Sequence, residues 1–135
     1  MNDAPTSPEF LLLFRNTQVE QRLSRDEARE AMGRLNAWLD RWTTRGAIKG
    51  AQPLGSEGKV ISGARQRIVA DGPYSEAKEA VGGYVLIQAA DFDDAMAIAG
   101  EWPMLDYDCV VEVRPVLAQC ATMALVNEEL AAAGA

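Results

Sequence analysis

The spacing of apolar residues along this chain constrains its fold more than any other feature of the sequence. Short apolar runs, typical of β-strands, alternate with segments whose apolar residues recur every three or four positions, as in amphipathic helices. The first run is Phe10-Leu11-Leu12-Leu13-Phe14, and its unbroken apolar character indicates a strand covered on both faces. This alternation predicts a sheet with helices packed against it.

The first helix has recognisable signals at both ends. Ser24 and Glu27 have the spacing of a capping box, in which each residue satisfies a backbone N–H near the start of the helix. Gly46 is the type of residue that commonly follows a helix C-cap. We therefore predict a helix from Arg25 to Arg45. Its apolar face consists of Ala28, Ala31, Met32, Leu35, Trp38, Leu39 and Trp42.

The middle of the chain contains several short extended segments. The segment 47–54 is predicted to be a strand near a sheet edge, because it contains Gly and Pro. The segments 59–61 and 66–70 are predicted to form a hairpin-like excursion. Gly82-Gly83 then leads into a strand at 84–88, and this glycine pair suggests a bulge or a close backbone approach.

A second helix, a last strand and a terminal helix are predicted in the remaining part of the chain. Asp91 is the expected N-cap of the second helix, which Pro103 ends. The strand is predicted at 109–114 and the alanine-rich terminal helix at 118–132. The apolar positions of the second helix are Phe92, Ala95, Met96, Ala99 and Trp102, and those of the last helix are Met123, Val126 and Leu130.

These elements define an α+β fold. Without the hairpin excursion between the middle strands and the extra C-terminal helix, their order is β-α-β-β-α-β, the ferredoxin-like arrangement. We expect residues 1–9 to be a flexible N-terminal arm and residues 10–135 to be a single domain.

The two inner helices cover one face of the sheet. The other face carries both valines and the Glu112/Arg114 pair, which predicts that two sheets pack face to face in a homodimer.

Composition excludes several classes of function. The 135 residues include no histidine, which excludes a Ser-His-Asp or Cys-His nucleophile, and neither a metal nor a cofactor is expected. The net charge of −7 argues against a nucleic-acid partner. No apolar run could span a bilayer and the start does not have the form of a signal peptide, so we expect a cytoplasmic protein. Cys109 and Cys120 are both expected to be buried thiols.

A compound motif connects these features to a known family. The residues that carry it are Asp71-Gly72-Pro73-Tyr74, Glu76, Lys78, Glu79, Gly82-Gly83-Tyr84 and the segment Val111-Glu112-Val113-Arg114-Pro115-Val116. Over roughly Phe10 to Val116 the chain resembles the YCII-related family, and more narrowly its DGPF branch. The resemblance implies a ferredoxin-like domain that dimerises through its sheets as a dimeric α/β barrel.

The same resemblance implies a regulatory setting and leaves the reaction undefined. The DGPF branch is frequently linked, by gene neighbourhood or fusion, to extracytoplasmic-function sigma factors. This chain departs from the pattern at Tyr74, where Phe is typical, and at Ala77, where Thr is common. Some relatives are proposed to use a His-Asp pair, and a chain without histidine cannot do so.

Five residues are candidates for a site. Glu112 and Arg114 point to the same side of the last strand, where they form either an interfacial salt bridge or an anion-binding arginine held by a glutamate. Arg15 is expected to join them, because the first and last strands are neighbours in this fold. Tyr74 could supply a phenol donor or simply pack. Asp71 belongs to an Asp-Gly-Pro segment that turn chemistry alone explains.

Three functions are consistent with these residues. The first is a small-molecule-binding or regulatory domain, a homodimer that senses a ligand in an inter-sheet cavity. The alternative is a cofactor-free lyase or isomerase acting on a small carboxylate or aromatic substrate. There, Asp71 or Glu112 would be the general base and Arg114 or Arg15 would hold a substrate carboxylate. A purely structural dimer is the third.

Overall fold

The computed structural model describes residues 7–72 and 80–134. Six strands and three α-helices, together with two short 3-10 turns, make up this part of the chain. In chain order the elements are β1 (Glu9–Arg15), α1 (Arg25–Thr44), β2 (Ile48–Pro53), β3 (Lys59–Ser62), β4 (Ile68–Asp71), β5 (Val81–Gln88), α2 (Phe92–Gly100), β6 (Val110–Pro115) and α3 (Ala121–Gly134).

Four of the strands form one antiparallel sheet in the order β2-β5-β1-β6. This order is that of a ferredoxin-like fold, which confirms the predicted β-α-β-β-α-β arrangement. The first and last strands are neighbours, as expected, with Leu13 opposite Glu112 and Leu11 opposite Arg114. The strands β3 and β4 form a separate two-stranded sheet, so the hairpin excursion between the middle strands is also confirmed.

The first helix has the ends that its sequence predicted. The Ser24 Oγ accepts a hydrogen bond from the backbone N–H of Glu27 at 3.1 Å, and the Glu27 carboxylate accepts one from the Ser24 N–H at 2.9 Å. At the other end Gly46 has a φ of 78°, and its backbone N–H donates to the carbonyl of Thr43. The backbone N–H of Ala47 donates to the carbonyl of Trp42. These two bonds satisfy the last carbonyls of the helix in a Schellman motif, so the chain turns directly into β2.

The hydrophobic core lies between the sheet and the two inner helices. Alternate residues of the central strands face it, in accordance with the two-residue period of a strand. The indole Nε1 of Trp38 donates to the carbonyl of Ile98 at 3.1 Å, which connects α1 to α2 inside this core. The large buried side chains are Phe10, Leu12, Phe14, Trp38, Val85, Ile87, Ile98, Trp102 and Met104.

The predicted apolar face of the second helix is confirmed at Ala95, Ala99 and Trp102 and wrong at Phe92 and Met96. Phe92 and Met96 are about half exposed, whereas Ala95, Ile98 and Ala99 are buried. In this short helix the residues packed against the core are Ala95, Ile98 and Ala99. Phe92 instead sits at the rim, edge-on to the Phe10 ring at 5.5 Å.

The hairpin formed by β3 and β4 turns at residues 63–67. Asp71, the first residue of the Asp-Gly-Pro segment, ends β4 and pairs with Lys59 at the base of the hairpin, and Pro73 lies outside the described residues. The strand pairing continues to this point because both strands remain extended. Gly72 follows and donates its N–H to the carbonyl of Gly58 at 2.9 Å.

The C-terminal helix α3 has no buried residue within the described part of the chain, and its predicted apolar positions are exposed. Cys120, just before it, is also exposed, so the expectation that both cysteines are buried was wrong for this one. The physical reason is that α3 follows an edge strand and extends away from the core. None of the helices in residues 7–72 and 80–134 combines the length and apolar character required to cross a membrane.

Candidate functional site

The sheet face opposite the helices is uncovered in the single chain. Its centre consists of Leu11 and Leu13 from β1, with Tyr84 and Leu86 from β5 directly opposite them. All four are only partly buried, whereas the residues that alternate with them face the core. This face is therefore an apolar strip, and the charged residues of the last strand lie beside it.

The structure brings together three of the residues predicted for a site. The carboxylate of Glu112 lies 3.6 Å from the Nη2 of Arg15 and 3.7 Å from the Nη1 of Arg114. These distances define ion pairs that are too long for direct hydrogen bonds. The Nε of Arg15 is buried without a hydrogen-bond partner among the described residues. One carboxylate between two guanidiniums leaves the cluster with one net positive charge.

The other two predicted residues are not part of this cluster. Asp71 lies on the β3–β4 hairpin, where its carboxylate accepts a hydrogen bond from the Lys59 Nζ at 2.7 Å and its side chain is 75% exposed. A general base of this kind requires burial, which raises the pKa of a carboxyl toward neutrality. Asp71 does not have that environment. Tyr74 lies outside the described residues.

A cleft of about 1080 Å³ lies on the other side of the sheet, between α1 and the ends of β2 and β5. Its inner wall consists of aromatic and aliphatic side chains, including Phe14, Trp38 and Trp102. The rings of Phe14 and Trp102 stack with centroids 4.1 Å apart. Apolar clefts of this order of size are the usual form of small-molecule sites. The cleft is therefore a second candidate site, separate from the Glu112 cluster.

The rim of the cleft is polar. Thr17, Gln18 and Glu20 come from the segment after β1, and Ser56 and Glu57 come from the loop between β2 and β3. None of the described residues that line the cleft has a basic side chain. Polar groups at the rim with an apolar interior would orient an amphipathic ligand.

Cys109 provides a thiol in the wall of the cleft. Burial raises the pKa of this thiol, and the nearby Arg22 guanidinium, whose Nη2 lies 3.9 Å from the Sγ, acts in the opposite direction. Arg22 itself is occupied, because it also donates to the backbone carbonyls of Tyr107 at 2.8 Å and Asn16 at 3.1 Å. A thiol with a raised pKa is a poor nucleophile, so Cys109 contributes shape to the cleft.

The glycine pair before β5 shapes the rim. A methyl group on Gly82 would collide with the Oγ1 of Thr17, so the Thr17 side chain would have to move to admit any larger residue there. The register between β1 and β5 shifts at Phe14/Arg15, opposite these glycines. The register shift agrees with the suggested bulge, and a methyl group on Gly83 would lie 3.2 Å from the backbone oxygen of Gln52, which agrees with the suggested close backbone approach.

The sequence did not predict this cleft, and two of its aromatic lining residues were assigned to the core. Trp38 and Trp102 were predicted as core residues, and they are both buried. The closest signal was the Pro53-Leu54-Gly55 segment and the glycines beyond it, which form one side of the rim. Among the described residues, no group of three Cys, Asp or Glu side chains could hold a metal ion.

The fold and the comparisons with known proteins identify the class of this chain. An antiparallel four-stranded sheet with two helices on one face is a ferredoxin-like α+β domain. The chain belongs to the YCII-related domain family, whose model matches residues 9–119. Comparison with the curated proteins gives no match. Assignment to the DGPF branch remains a prediction from the motif.

Proposed function

We propose that this protein is a small-molecule-binding module of regulatory type and that it acts as a homodimer. The observation that carries the proposal is the cleft of about 1080 Å³ beneath α1, which has an aromatic wall and a polar rim. Its size is close to the upper end of the usual range for small-molecule sites, roughly 300–1,000 Å³. The ligand would therefore lie on the helical side of the sheet, and the inter-sheet space would serve assembly.

The homodimer is supported by the uncovered sheet face. Leu11, Leu13 and Leu86 form an apolar strip there that a single chain leaves in contact with water. A second copy related by a two-fold axis would cover this strip with the same strip of its own. Glu112 would then contribute a paired charge to the interface and help to fix its register.

Association with an extracytoplasmic-function sigma factor is the proposed regulatory setting. It is supported by the likeness to the DGPF branch alone. A pull-down of the tagged protein with purified extracytoplasmic-function sigma factors would test this association. If a ligand of the cleft abolished binding of the sigma factor, the small-molecule site and the regulatory setting would be connected.

One observation favours the alternative, a cofactor-free lyase or isomerase. The cluster of Arg15, Glu112 and Arg114 carries one unneutralised positive charge, which is suited to holding a substrate carboxylate. The Glu112 side chain is 37% exposed in the single chain, so a catalytic role as general base would require a partner to bury it. An Arg114→Ala variant that loses binding of small carboxylates would support this alternative over the cleft.

A matched pair of variants tests the cleft. Met32 lines the cleft on α1 and Met96 lies on α2 away from it, and their exposed fractions are 40% and 49%. We expect Met32→Trp to narrow the cleft and to weaken binding of a neutral aromatic by roughly tenfold, and Met96→Trp to leave it unchanged. Isothermal titration calorimetry with 2-naphthalenemethanol measures both. Equal affinities of the two variants and the wild type would contradict the placement of the site.

A further inference from the structure

The residues that line the cleft beneath α1 have an uneven charge distribution. Glu20 and Glu57 place two carboxylates at the rim, and the described lining residues include no lysine or arginine. The guanidinium of Arg22 lies beside Cys109 in the wall, and it is already held by Asn16 and Tyr107. The charged side chains among the described lining residues are therefore both acidic, in a chain whose net charge is −7.

The interior offers little to solvate an anion. No charged or polar residue is buried in residues 7–72 or 80–134. The indole N–H of Trp38 is not available to a ligand, because it already donates to the carbonyl of Ile98 at 3.1 Å. A carboxylate moved into such a site would lose its hydration without gaining a charged partner.

We propose that the cleft selects a hydrophobic, ring-bearing molecule that is uncharged or carries a cationic group at the rim, and that it discriminates against anions. This inference rests on the proposed function, since it assigns a ligand class to the same cleft. The ring packs against Trp38 and Trp102, and the polar or cationic end lies beside Glu20 and Glu57. The Glu112 cluster, on the opposite face of the sheet, has the opposite charge and is not part of this site.

Three probes with one ring system test the selection at pH 7.5. They are 2-(aminomethyl)naphthalene, a cation; 2-naphthalenemethanol, which is neutral; and 2-naphthoate, an anion. Isothermal titration calorimetry on the full chain gives their dissociation constants. We expect the cation and the neutral probe to bind roughly tenfold or more tightly than the anion, because the interior offers no compensation for a buried negative charge.

A charge variant tests the role of the rim. Glu20→Gln/Glu57→Gln removes both carboxylates with little change in shape, and we expect it to weaken the cation by about two- to fivefold while leaving the neutral probe unchanged. The control Glu128→Gln/Glu129→Gln makes the same change in net charge on α3, away from the cleft. We expect this control to leave the affinity of the cation unchanged.

The outcomes separate the ligand class from the proposed function. If 2-naphthoate binds as tightly as the cation, or if both double variants weaken the cation equally, the charge selection is wrong while the cleft remains a binding site. If no probe binds at millimolar concentration, the proposed function and the selection inferred from it both fail. Tight binding of the anion that Arg114→Ala abolishes would move the site to the sheet face and overturn the inference.

Discussion

Arg15 on β1 and Glu112 on β6 lie on the same uncovered face of the sheet, with their Nη2 and Oε1 atoms 3.6 Å apart. If this face is the dimer interface, Glu112 separates two guanidiniums that would otherwise repel each other there. We expect Glu112→Gln to raise the dimer dissociation constant by about tenfold, because it leaves two positive charges without a partner. Analytical ultracentrifugation over a concentration series measures this change.

The control for that experiment is Asp106→Asn. It removes the exposed Arg34–Asp106 pair, whose atoms are 2.7 Å apart on the helical side of the molecule. We expect this variant to dimerise like the wild type. Dimerisation of Glu112→Gln with unchanged affinity would exclude the cluster from the interface.

Gly82 is expected to be the glycine least tolerant of substitution at the rim of the cleft. Gly82→Ala would place a methyl group against the Oγ1 of Thr17 and should lower the free energy of unfolding by about 1–3 kcal/mol. Thr17→Ala removes that oxygen, so the double variant should recover much of the loss. Urea denaturation of the single and double variants measures the recovery.

Gly33→Ala is the matched control, because a methyl group there would meet no atom within 4 Å. It lies inside α1, where alanine is preferred, so we expect a gain of about 0.5–1 kcal/mol in the free energy of unfolding. If Gly33→Ala and Gly82→Ala lowered the free energy of unfolding by similar amounts, contact with Thr17 would not be the cause of the destabilisation by Gly82→Ala.

The capping box of α1 makes stability depend on pH. The hydrogen bonds from the Ser24 backbone N–H and from its side chain hold the pKa of Glu27 below its ordinary value of 4.5. A lowered pKa in the folded state stabilises the protein at pH values above the ordinary pKa, and this contribution is lost as the pH falls through the folded-state pKa. We therefore expect the wild type to exceed Glu27→Gln in stability at pH 7 and to match it at strongly acidic pH.

Urea unfolding at a series of pH values tests this expectation. Glu30→Gln changes the same charge on the same helix outside the capping box, so it should show a smaller difference from the wild type. A stability difference between the wild type and Glu27→Gln that stays constant down to the acid limit would argue against the assigned hydrogen bonds.

The two cysteines are expected to differ in reactivity. Cys109 is buried and burial raises the pKa of its thiol, whereas Cys120 is exposed. Iodoacetamide added to the native protein at pH 8 should therefore modify Cys120 at least roughly tenfold faster than Cys109. Mass spectrometry of peptides over time gives both rates. Equal rates in the native protein would mean that the wall of the cleft is open at Cys109.

The helix α3 should be dispensable for the fold of the single chain. Since none of its described residues is buried, removal of residues 118–135 should change the free energy of unfolding by less than about 0.5 kcal/mol when both proteins are monomeric. Chemical denaturation at low protein concentration measures this. A loss of cooperative unfolding would show that α3 is needed for the core.

Local chemistry made most of the fold predictable. The ends of α1 depend on groups only a few residues apart, Ser24 with Glu27 and Gly46 with the last turn, so the sequence contained all the information required for them. The face of α2 was predicted less well. Periodicity shows which residues share a face, but the choice between Phe92 and Ile98 depends on the distance between the helix and the sheet.

The sequence by itself determined the ferredoxin-like order of elements and the presence of Arg15, Glu112 and Arg114 on one face, because strand alternation and strand neighbours follow from local pattern and connectivity. Only the tertiary structure decided that the Glu112 carboxylate lies between the two guanidiniums and that the cleft lies on the opposite side of the sheet. A cavity forms where elements that are distant in the chain do not pack closely against each other. No local pattern encodes it, because the same aromatic residues fill a core or line a cleft according to how far apart those elements lie.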